Sequence, residues 1–314
     1  MREGLNLFEQ IESNKRRSVV LLVLLLALLG AIGGVLGGLY FDPYAGVGMA
    51  VIVGAVAAAI AWFGGSNVLL AFSGARKIEK SDHQQLFNVV DELSIAAGMA
   101  GPPDIYVIDD PSPNAFATGR DPEHAAVAIT TGLLNKLTRD ELQGVMAHEL
   151  SHVRNYDIRF ATIVGVLVGS IALICDVALR NLRFGKRRGG DGRAQLVLLV
   201  IALILMIVAP ISAVAIQMAI SRQREYLADA SAAELTRHPE ALASALAKLA
   251  ADPADLKKRN RATNALFIVN PKMAVRRGQK GRLFATHPPL DERIARLKAM
   301  AFKYADPPAV EERG

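Results

Sequence analysis

The stretch Met146–Asp157, MAHELSHVRNYD, contains His148-Glu149-Leu150-Ser151-His152, an H-E-x-x-H pattern. Residues four apart in an α-helix lie on one face, about one turn apart, so the two imidazoles can bind the same metal ion. Glu149 then faces a water at that metal and can act as a general base. The alternative is an exposed helix face with three polar residues, because so short a pattern also arises by chance.

Two features favour a buried functional helix over the exposed alternative: the apolar surroundings of the pattern, and a candidate elsewhere in the chain for the remaining metal ligand. Residues 144–150 are small or apolar apart from the pattern itself, and a buried ionisable cluster without a partner would be costly. Thr138 is followed three residues later by Glu141, which predicts a capping box at the start of the helix.

A third metal ligand is expected from another helix, because a catalytic zinc has three protein ligands and one open position. The segment SRQREYLADASAAEL offers Glu225 as a ligand and Asp229, one turn later, as a carboxylate that orients a ligand histidine. Spacing alone leaves a second interpretation open, a salt-bridged helix in which Arg222 and Arg224 pair with Glu225.

Long apolar segments predict a membrane protein. Charges are absent from Ser18–Phe41 (24 residues), Pro43–Ala75 (33) and Ala194–Ser221 (28), and a bilayer needs about 20 apolar helical residues. A fourth segment, Phe160–Cys175, has 16 such residues before Asp176. The fold class expected is therefore mostly α, with about four transmembrane or membrane-embedded helices and a small sheet.

Charge and cysteine content exclude several classes of protein. The net charge of +6 is modest, and the basic residues lie beside apolar segments, which favours contact with membrane lipid and not with nucleic acid. Cys175 is the single cysteine, so no disulfide can form within the chain. The first apolar segment is too long for a signal peptide and is interpreted as a retained anchor.

The apolar segments divide the chain into five parts. We expect a cytoplasmic arm (1–17), a transmembrane helix pair (18–72), a first soluble part with the H-E-x-x-H helix (76–157), a second membrane helix pair with a basic loop (158–220) and a second soluble part (221–314). The first soluble part begins with a helix that has Ser81 as its N-cap and Leu86, Val89, Val90 and Leu93 on one face, and continues with a strand in PPDIYVIDD.

Basic flanks set the expected orientation. Lys15–Arg17 precede the first membrane helix and Arg76, Lys77 and Lys80 follow the second, so both flanks are expected in the cytoplasm. A metal shared by His148 and Glu225 requires residues 153–224 to begin and end on the same side of the membrane. The loop 180–193 has six basic residues and one acidic residue, and so basic a loop is expected in the cytoplasm, whereas two full crossings would place it outside. Two solutions stay open: the second helix pair is a shallow or re-entrant hairpin, or the first pair dominates the orientation of the whole chain.

Four segments together resemble the HtpX-type membrane zinc metalloproteases, relatives of the CAAX prenyl proteases. They are HELSHVRNYD, SRQREYLADASA, PNAFATGRDPEHAAVAITTGLL and FATHPPLDERIARL. The resemblance extends over almost the whole chain and implies a zincin-like (gluzincin) catalytic domain with one Zn²⁺ per chain.

The resemblance also implies roles for individual residues. The zinc ligands would be His148, His152 and Glu225, with Glu149 as general base and Asp229 behind a ligand histidine. Asn114, Ala115, Phe116 and Ala117 would form an edge strand that pairs with an extended substrate. His287 and Arg293 would stabilise the oxyanion, although His287 before two prolines also suits a turn or helix start. Asn155 and Asp157 are interpreted as helix-end stabilisers.

The expected function is that of a zinc metalloendopeptidase of the bacterial cytoplasmic (inner) membrane, multi-pass, with its active site facing the cytoplasm. Its substrates would be membrane proteins or unfolded proteins, as in protein quality control. Two alternatives stay open: a prenyl-protein-type maturation protease with the same zinc chemistry, and a non-enzymatic membrane scaffold with a structural metal.

Overall fold

The computed structural model describes residues 7–181, 192–251 and 288–305, which form two compact units. The first, the sheet unit, comprises residues 66–158, 222–251 and 288–305, with 7–11. The second, the apolar unit, comprises residues 12–65, 159–181 and 192–221. Helices dominate both units and a single four-stranded sheet lies in the first, so the expected mostly α fold with a small sheet is confirmed.

The helices differ from the expected pattern at two places. They are α1 (Leu7–Tyr40), α2 (Pro43–Phe72), α3 (Gln84–Ala96), α4 (Thr131–Leu134), α5 (Arg139–Arg154), α6 (Asp157–Asn181), α7 (Gly192–Thr236), α8 (Pro239–Ala251) and α9 (Leu290–Ala305). The predicted polar arm is helical from Leu7. The helix expected to carry Glu225, at the start of the second soluble part (221–314), is the continuation of α7 from the preceding apolar segment. The change from apolar to charged residues there alters the surroundings of a helix and not its backbone preference.

Among the described residues, three helical segments are long and apolar enough to cross a membrane: Leu22–Tyr40, Pro43–Phe72 and Ile163–Arg180. In α7, the apolar segment with described side chains, Leu199–Ala215, is shorter. The predicted span with the fewest apolar residues, Phe160–Cys175, overlaps with one of these three segments. Its nearby charge, Asp176, lies at the end of the segment, one turn before Arg180, and pairs with it at 2.7 Å. Large apolar side chains such as Ile60 and Phe63 are exposed in α2, as expected for a surface that faces lipid.

Glycines allow α1 and α2 to approach at backbone distance within the apolar unit. A Cβ at Gly46 would collide with the carbonyl oxygen of Gly33 and lie 2.8 Å from the Cα of Gly37. Small residues at such contacts let transmembrane helices pack closely. The Asp42 side chain accepts a hydrogen bond from the Ala45 amide at 2.8 Å, at the turn between the helices.

The sheet of the first unit has the order β1-β2-β4-β3, with β1 Ala75–Lys77, β2 Asp104–Ile108, β3 Ala115–Gly119 and β4 Ala125–Thr130. The central pair, β2 and β4, is parallel, and each outer strand is antiparallel to its neighbour. The strand predicted in PPDIYVIDD is thus β2. Within the described residues, β3 is an edge strand.

Helices α3, α5 and α8 pack around one core in the sheet unit. The predicted apolar face of α3 is buried, with Leu86, Val89 and Val90 at 0% exposure. The predicted cap at Ser81 is wrong: α3 begins after His83, whose Nδ1 accepts the Leu86 N–H at 3.1 Å. Helix α8 crosses α5 at Gly144, where an added Cβ would lie 2.8 Å from the Leu242 nitrogen.

The glycine contact between α1 and α2 can be tested with two alanines in the same helix. We expect Gly46→Ala to lower the midpoint of thermal unfolding in detergent by several degrees, because overpacking a close contact costs about 1–3 kcal/mol. Gly48→Ala is the matched control, since a Cβ there meets nothing within 4 Å. Equal midpoints for the two variants would contradict the close contact.

Candidate metal centre

The helix α5 begins at the predicted capping box. The Thr138 hydroxyl accepts the Glu141 N–H at 3.4 Å, and the Glu141 carboxylate accepts the Thr138 N–H at 2.8 Å. These two bonds satisfy backbone donors that the first turn of a helix leaves without partners. The cap therefore fixes where the helix starts and, through the helix register, which face carries residues 148, 149 and 152.

Glu141 also joins the start of α5 to α8. Its carboxylate accepts hydrogen bonds from Lys248 Nζ at 2.6 Å and from the Ser244 hydroxyl at 2.7 Å. Burial opposes ionisation of this carboxyl group, but the hydrogen bonds from Lys248, the Thr138 amide and Ser244 outweigh burial, and the pKa of Glu141 lies below its ordinary value. The ionised carboxylate thus anchors the end of α5 opposite the H-E-x-x-H pattern.

His148, His152 and Glu225 converge in the sheet unit. Glu225 Oε2 lies 3.6 Å from His148 Nε2, and Glu225 Oε1 lies 3.6 Å from His152 Nε2. One ligand atom from each residue lies within 4.8 Å of the other two. Ligand atoms about 2.0–2.2 Å from a tetrahedral metal are about 3.3–3.6 Å apart, so the spacing of the carboxylate and the imidazoles fits one such ion.

A carboxylate stands behind each histidine. Asp229 Oδ1 lies 3.1 Å from His148 Nδ1, and Asp157 Oδ2 lies 3.1 Å from His152 Nδ1. A carboxylate at Nδ1 holds the proton on that nitrogen and leaves Nε2 free to bind a metal. Asp229 thus lies beside His148, and Asp157, interpreted above as a helix-end stabiliser, lies beside His152 in the same way.

Arg293, from α9, lies at 0% exposure beside the same carboxylates. Its guanidinium donates to Asp229 through Nε at 2.8 Å and through Nη2 at 2.7 Å, and its Nη1 lies 3.1 Å from Glu225 Oε2. Nη2 is also 3.4 Å from His148 Nε2. These charges raise the pKa of Arg293 and lower the pKa of Asp229 against the opposing effect of burial.

The buried groups carry an excess of negative charge that suits a divalent cation. Four carboxylates and two guanidinium groups are each at most 7% exposed, namely those of Glu149, Asp157, Glu225, Asp229, Arg224 and Arg293. This set of described residues therefore has two more acidic than basic side chains. Burial lowers the pKa of His148, but Asp229 and Glu225 more than reverse this and raise it to about 9, a measure of how strongly these surroundings favour a cation.

The predicted substrate strand lies at the sheet edge. Ala115, Phe116 and Ala117 belong to β3, and Asn114, which immediately precedes it, is 2% exposed. The backbone N–H of Asn114 donates to the Thr130 hydroxyl at 2.8 Å, and this bond connects the start of β3 to the end of β4. His287 lies outside the described residues.

A family model for proteins described as "Peptidase family M48" matches residues 80–301 of the chain, which include all the residues above. The chain belongs to peptidase family M48. With its long apolar helices, this member of the family is a membrane metalloprotease, and its substrates are proteins.

Similar proteins named "Protease HtpX homolog" confirm the expected resemblance. The M48 peptidase described here is 42% identical to one from Dictyoglomus turgidum over 297 residues, covering 95% of this chain and 96% of that protein. It is 49% identical to one from Tropheryma whipplei (strain Twist) over 248 residues, covering 79% and 83%. A homologue from Streptococcus gordonii is 44% identical over 300 residues, covering 94% and 100%.

Among solved structures, that of S. mikatae Ste24p is similar to this M48 peptidase with a TM-score of 0.49 and 20% sequence identity. The match covers 79% of this chain and 57% of that one.

Two residues of the site escaped the sequence analysis. Arg224 was named only in the alternative interpretation, as a salt-bridge partner of Glu225. It is 6% exposed and its Nη1 donates to the carbonyl oxygen of Asp157 at 3.1 Å. Asp157 follows His152 by five residues, across a helix end, so no helical periodicity connects the two. The signal that could have suggested it is an acidic residue soon after the second histidine of an H-E-x-x-H pattern.

Proposed function

We propose that this M48 peptidase is a zinc-dependent endopeptidase in which His148, His152 and Glu225 hold one Zn²⁺ and Glu149 is the general base. The observation that carries the proposal is the buried meeting of the two Nε2 atoms with the Glu225 carboxylate, each 3.6 Å away. Two imidazoles and one carboxylate are a common ligand set of catalytic zinc. When bound, zinc polarises the scissile carbonyl and lowers the pKa of a water.

Glu149 would move the proton in peptide hydrolysis. It takes a proton from the attacking water as the water oxygen bonds to the carbonyl carbon, and gives a proton to the amine nitrogen as the C–N bond breaks. Its position between the two histidines places it on the same buried stretch of α5, at 3% exposure. Asp229 would keep His148 in the tautomer with Nε2 free, while the Arg293 guanidinium holds Asp229 in place.

The roles of His287 and Arg293 at the oxyanion stay predictions. Two of the guanidinium nitrogens of Arg293 are directed at Asp229, and Nη1 faces Glu225. This arrangement supports a further role for Arg293, which is to balance the charge of the two carboxylates. A contact with substrate would have to use Nη1.

The β3 edge would bind the substrate backbone, and the strand register indicates which backbone groups would be available for it. The Thr130 amide donates to the Asn114 carbonyl at 2.9 Å, and the register pairs Ala115 with Ile129. Bonded and non-bonded pairs alternate in an antiparallel ladder, so Phe116 is bonded to β4. Ala115 and Ala117 then direct their N–H and C=O groups to the open edge, where an extended peptide can add a strand.

We propose that the substrates are membrane proteins or unfolded proteins, as in quality control. Backbone pairing at a sheet edge demands little of the substrate side chains, which supports a broad substrate range. A prenyl-type maturation protease is the alternative, and it would cleave one modified protein and leave casein intact. The scaffold alternative finds no support in a chain of a peptidase family.

The proposed location is the bacterial cytoplasmic (inner) membrane, multi-pass, with the catalytic domain formed by residues 76–157 and 221–314 on the cytoplasmic side. The basic flanks of the first two apolar helices support this orientation. The convergence of His148 and Glu225 supports an even number of crossings between them.

The general base can be tested by Glu149→Gln. We expect one zinc per chain in both wild type and variant, and at least a 100-fold slower cleavage of casein by the variant, since a general base contributes about 10²–10⁴-fold. Metal analysis and proteolysis of the purified full-length protein measure both. Glu240→Gln, on the exposed start of α8, is the control and should cleave normally. Casein cleavage by Glu149→Gln at the wild-type rate would refute the mechanism.

The substrate edge can be tested by comparing two prolines in β3. Ala117→Pro removes an N–H that faces the open edge, so we expect casein cleavage to fall at least tenfold with little change in the unfolding midpoint. Phe116→Pro removes an N–H bonded to β4 and should lower the midpoint by several degrees. Normal cleavage by a folded Ala117→Pro variant would mean that the substrate does not pair with this edge.

The orientation can be tested with single cysteines in a Cys175→Ser background. A membrane-impermeant maleimide applied to intact cells should label Tyr44→Cys, in the first turn of α2 and 86% exposed, and leave Lys80→Cys unlabelled until the cells are opened. The reverse pattern would invert the topology. Labelling of Arg187→Cys from outside would exclude a cytoplasmic position of the basic loop.

A further inference from the structure

The turn between α5 and α6 has an unusual backbone. Tyr156 has a φ of 59°, in the left-handed region that a residue with a Cβ rarely adopts. The turn occupies only Asn155 and Tyr156, and α6 begins at Asp157. Residues held in such conformations persist where the surrounding structure requires them, and they are frequent at functional sites.

The turn brings the Asp157 carboxylate to the outer nitrogen of His152. The Oδ2–Nδ1 distance is 3.1 Å, and the side chains of the two residues are 9% and 15% exposed. The Asp157 carboxylate accepts the Nδ1–H, so that Nε2 faces Glu225. An acidic residue that only stabilises a helix start needs no such contact and is usually in solvent.

Arg224 holds the same turn from the other side. It lies on α7 directly before Glu225, is 6% exposed, and donates from Nη1 to the Asp157 carbonyl oxygen at 3.1 Å. A buried guanidinium needs nearby negative charge, which Asp157 and Glu225 supply. Helix α7 thus contacts the outer partner of each histidine: it supplies Asp229 for His148 and holds Asp157 for His152.

We infer that Asp157 is a positioning residue for the second histidine ligand, and that Arg224 acts through Asp157 by holding its backbone. The inference rests on the proposed metal site. In this arrangement, the carboxylate fixes the tautomer and ring orientation of His152, while Arg224 makes that orientation depend on the helix that carries Glu225. Metal affinity, and not only catalysis, then depends on both residues.

The test is the zinc affinity of the purified full-length protein, measured by competition with a chromophoric chelator. We expect Asp157→Asn to bind zinc about 10–100-fold more weakly than wild type, the usual effect of losing a partner of a ligand histidine. Asp157→Ala should bind at least as weakly. The visible absorption of the Co²⁺-substituted protein should change in both variants, because the coordination of His152 changes.

The matched control is Asp121→Asn. Asp121 Oδ1 lies 2.7 Å from His124 Nδ1, an exposed aspartate–histidine pair of similar geometry away from the metal ligands. Its loss should leave zinc affinity and the Co²⁺ spectrum unchanged. The unfolding midpoint with excess chelator separates a general loss of stability from loss of metal binding: Asp157→Asn should unfold near the wild type there.

The outcomes separate the two proposals. If the wild type fails to bind one zinc per chain, the proposed metal site is wrong. If the wild type binds zinc and Asp157→Asn binds it equally well with an unchanged Co²⁺ spectrum, the positioning role is wrong. Asp157→Asn keeps the size of the side chain and decides the matter if Asp157→Ala does not fold.

Arg224 is tested by a double-mutant cycle. Arg224→Gln should weaken zinc binding in the wild-type background and have a much smaller effect when Asp157 is already alanine, because its contribution passes through that residue. Equal effects in both backgrounds would show that Arg224 acts on Glu225 directly and would overturn this part of the inference.

Discussion

The meeting of α5 and α7 at a cluster of buried charges is the constraint on which the sheet unit depends. Four carboxylates and two guanidinium groups from α5, α6, α7 and α9 are buried in this unit. Burying a charge is unfavourable unless a partner and hydrogen bonds compensate for it. Each helix alone would carry an unsatisfied set: α5 has the imidazoles, α7 has Glu225 and Asp229, and α9 brings Arg293 to the two carboxylates.

The two sides of the cluster are specified in different ways. On α5 the specification is local, since the capping box fixes the start of the helix and the four-residue spacing fixes the face. On α7 it depends on chain topology, because Glu225 follows His152 by 73 residues that include most of the second apolar helix pair. The hydrogen bonds from Ser244 and Lys248 to Glu141 hold the start of α5 against α8. The residue that completes the capping box therefore also fixes how α5 packs in the unit.

The sequence predicted the features that have a period or a short-range partner. The H-E-x-x-H helix, its cap and the buried face of α3 follow from spacing, and the structure has them. The edge strand was implied by the resemblance to the HtpX-type proteases, and β3 lies at the sheet edge within the described residues. The sequence did not reveal the contact of Asp157 with His152, because a left-handed Tyr156 has no sequence signal: glycine or asparagine is expected there. The burial of Arg224 was not predicted, because a charged residue beside Glu225 on a helix normally indicates a solvent-exposed pair. The continuity of α7 was missed because a change in hydropathy was interpreted as a helix boundary.

Charge balance links the chemistry of the site to its stability. The buried set named above has two more carboxylates than guanidinium groups, an excess that a divalent ion would neutralise. Asp229 and Glu225 raise the pKa of His148 against the effect of burial. A ligand that binds only the folded arrangement stabilises it in proportion to its affinity and concentration. In the proposed site, metal binding would therefore contribute folding free energy as well as Lewis acidity. Residues that orient the histidines would then affect both the stability and the chemistry of the site.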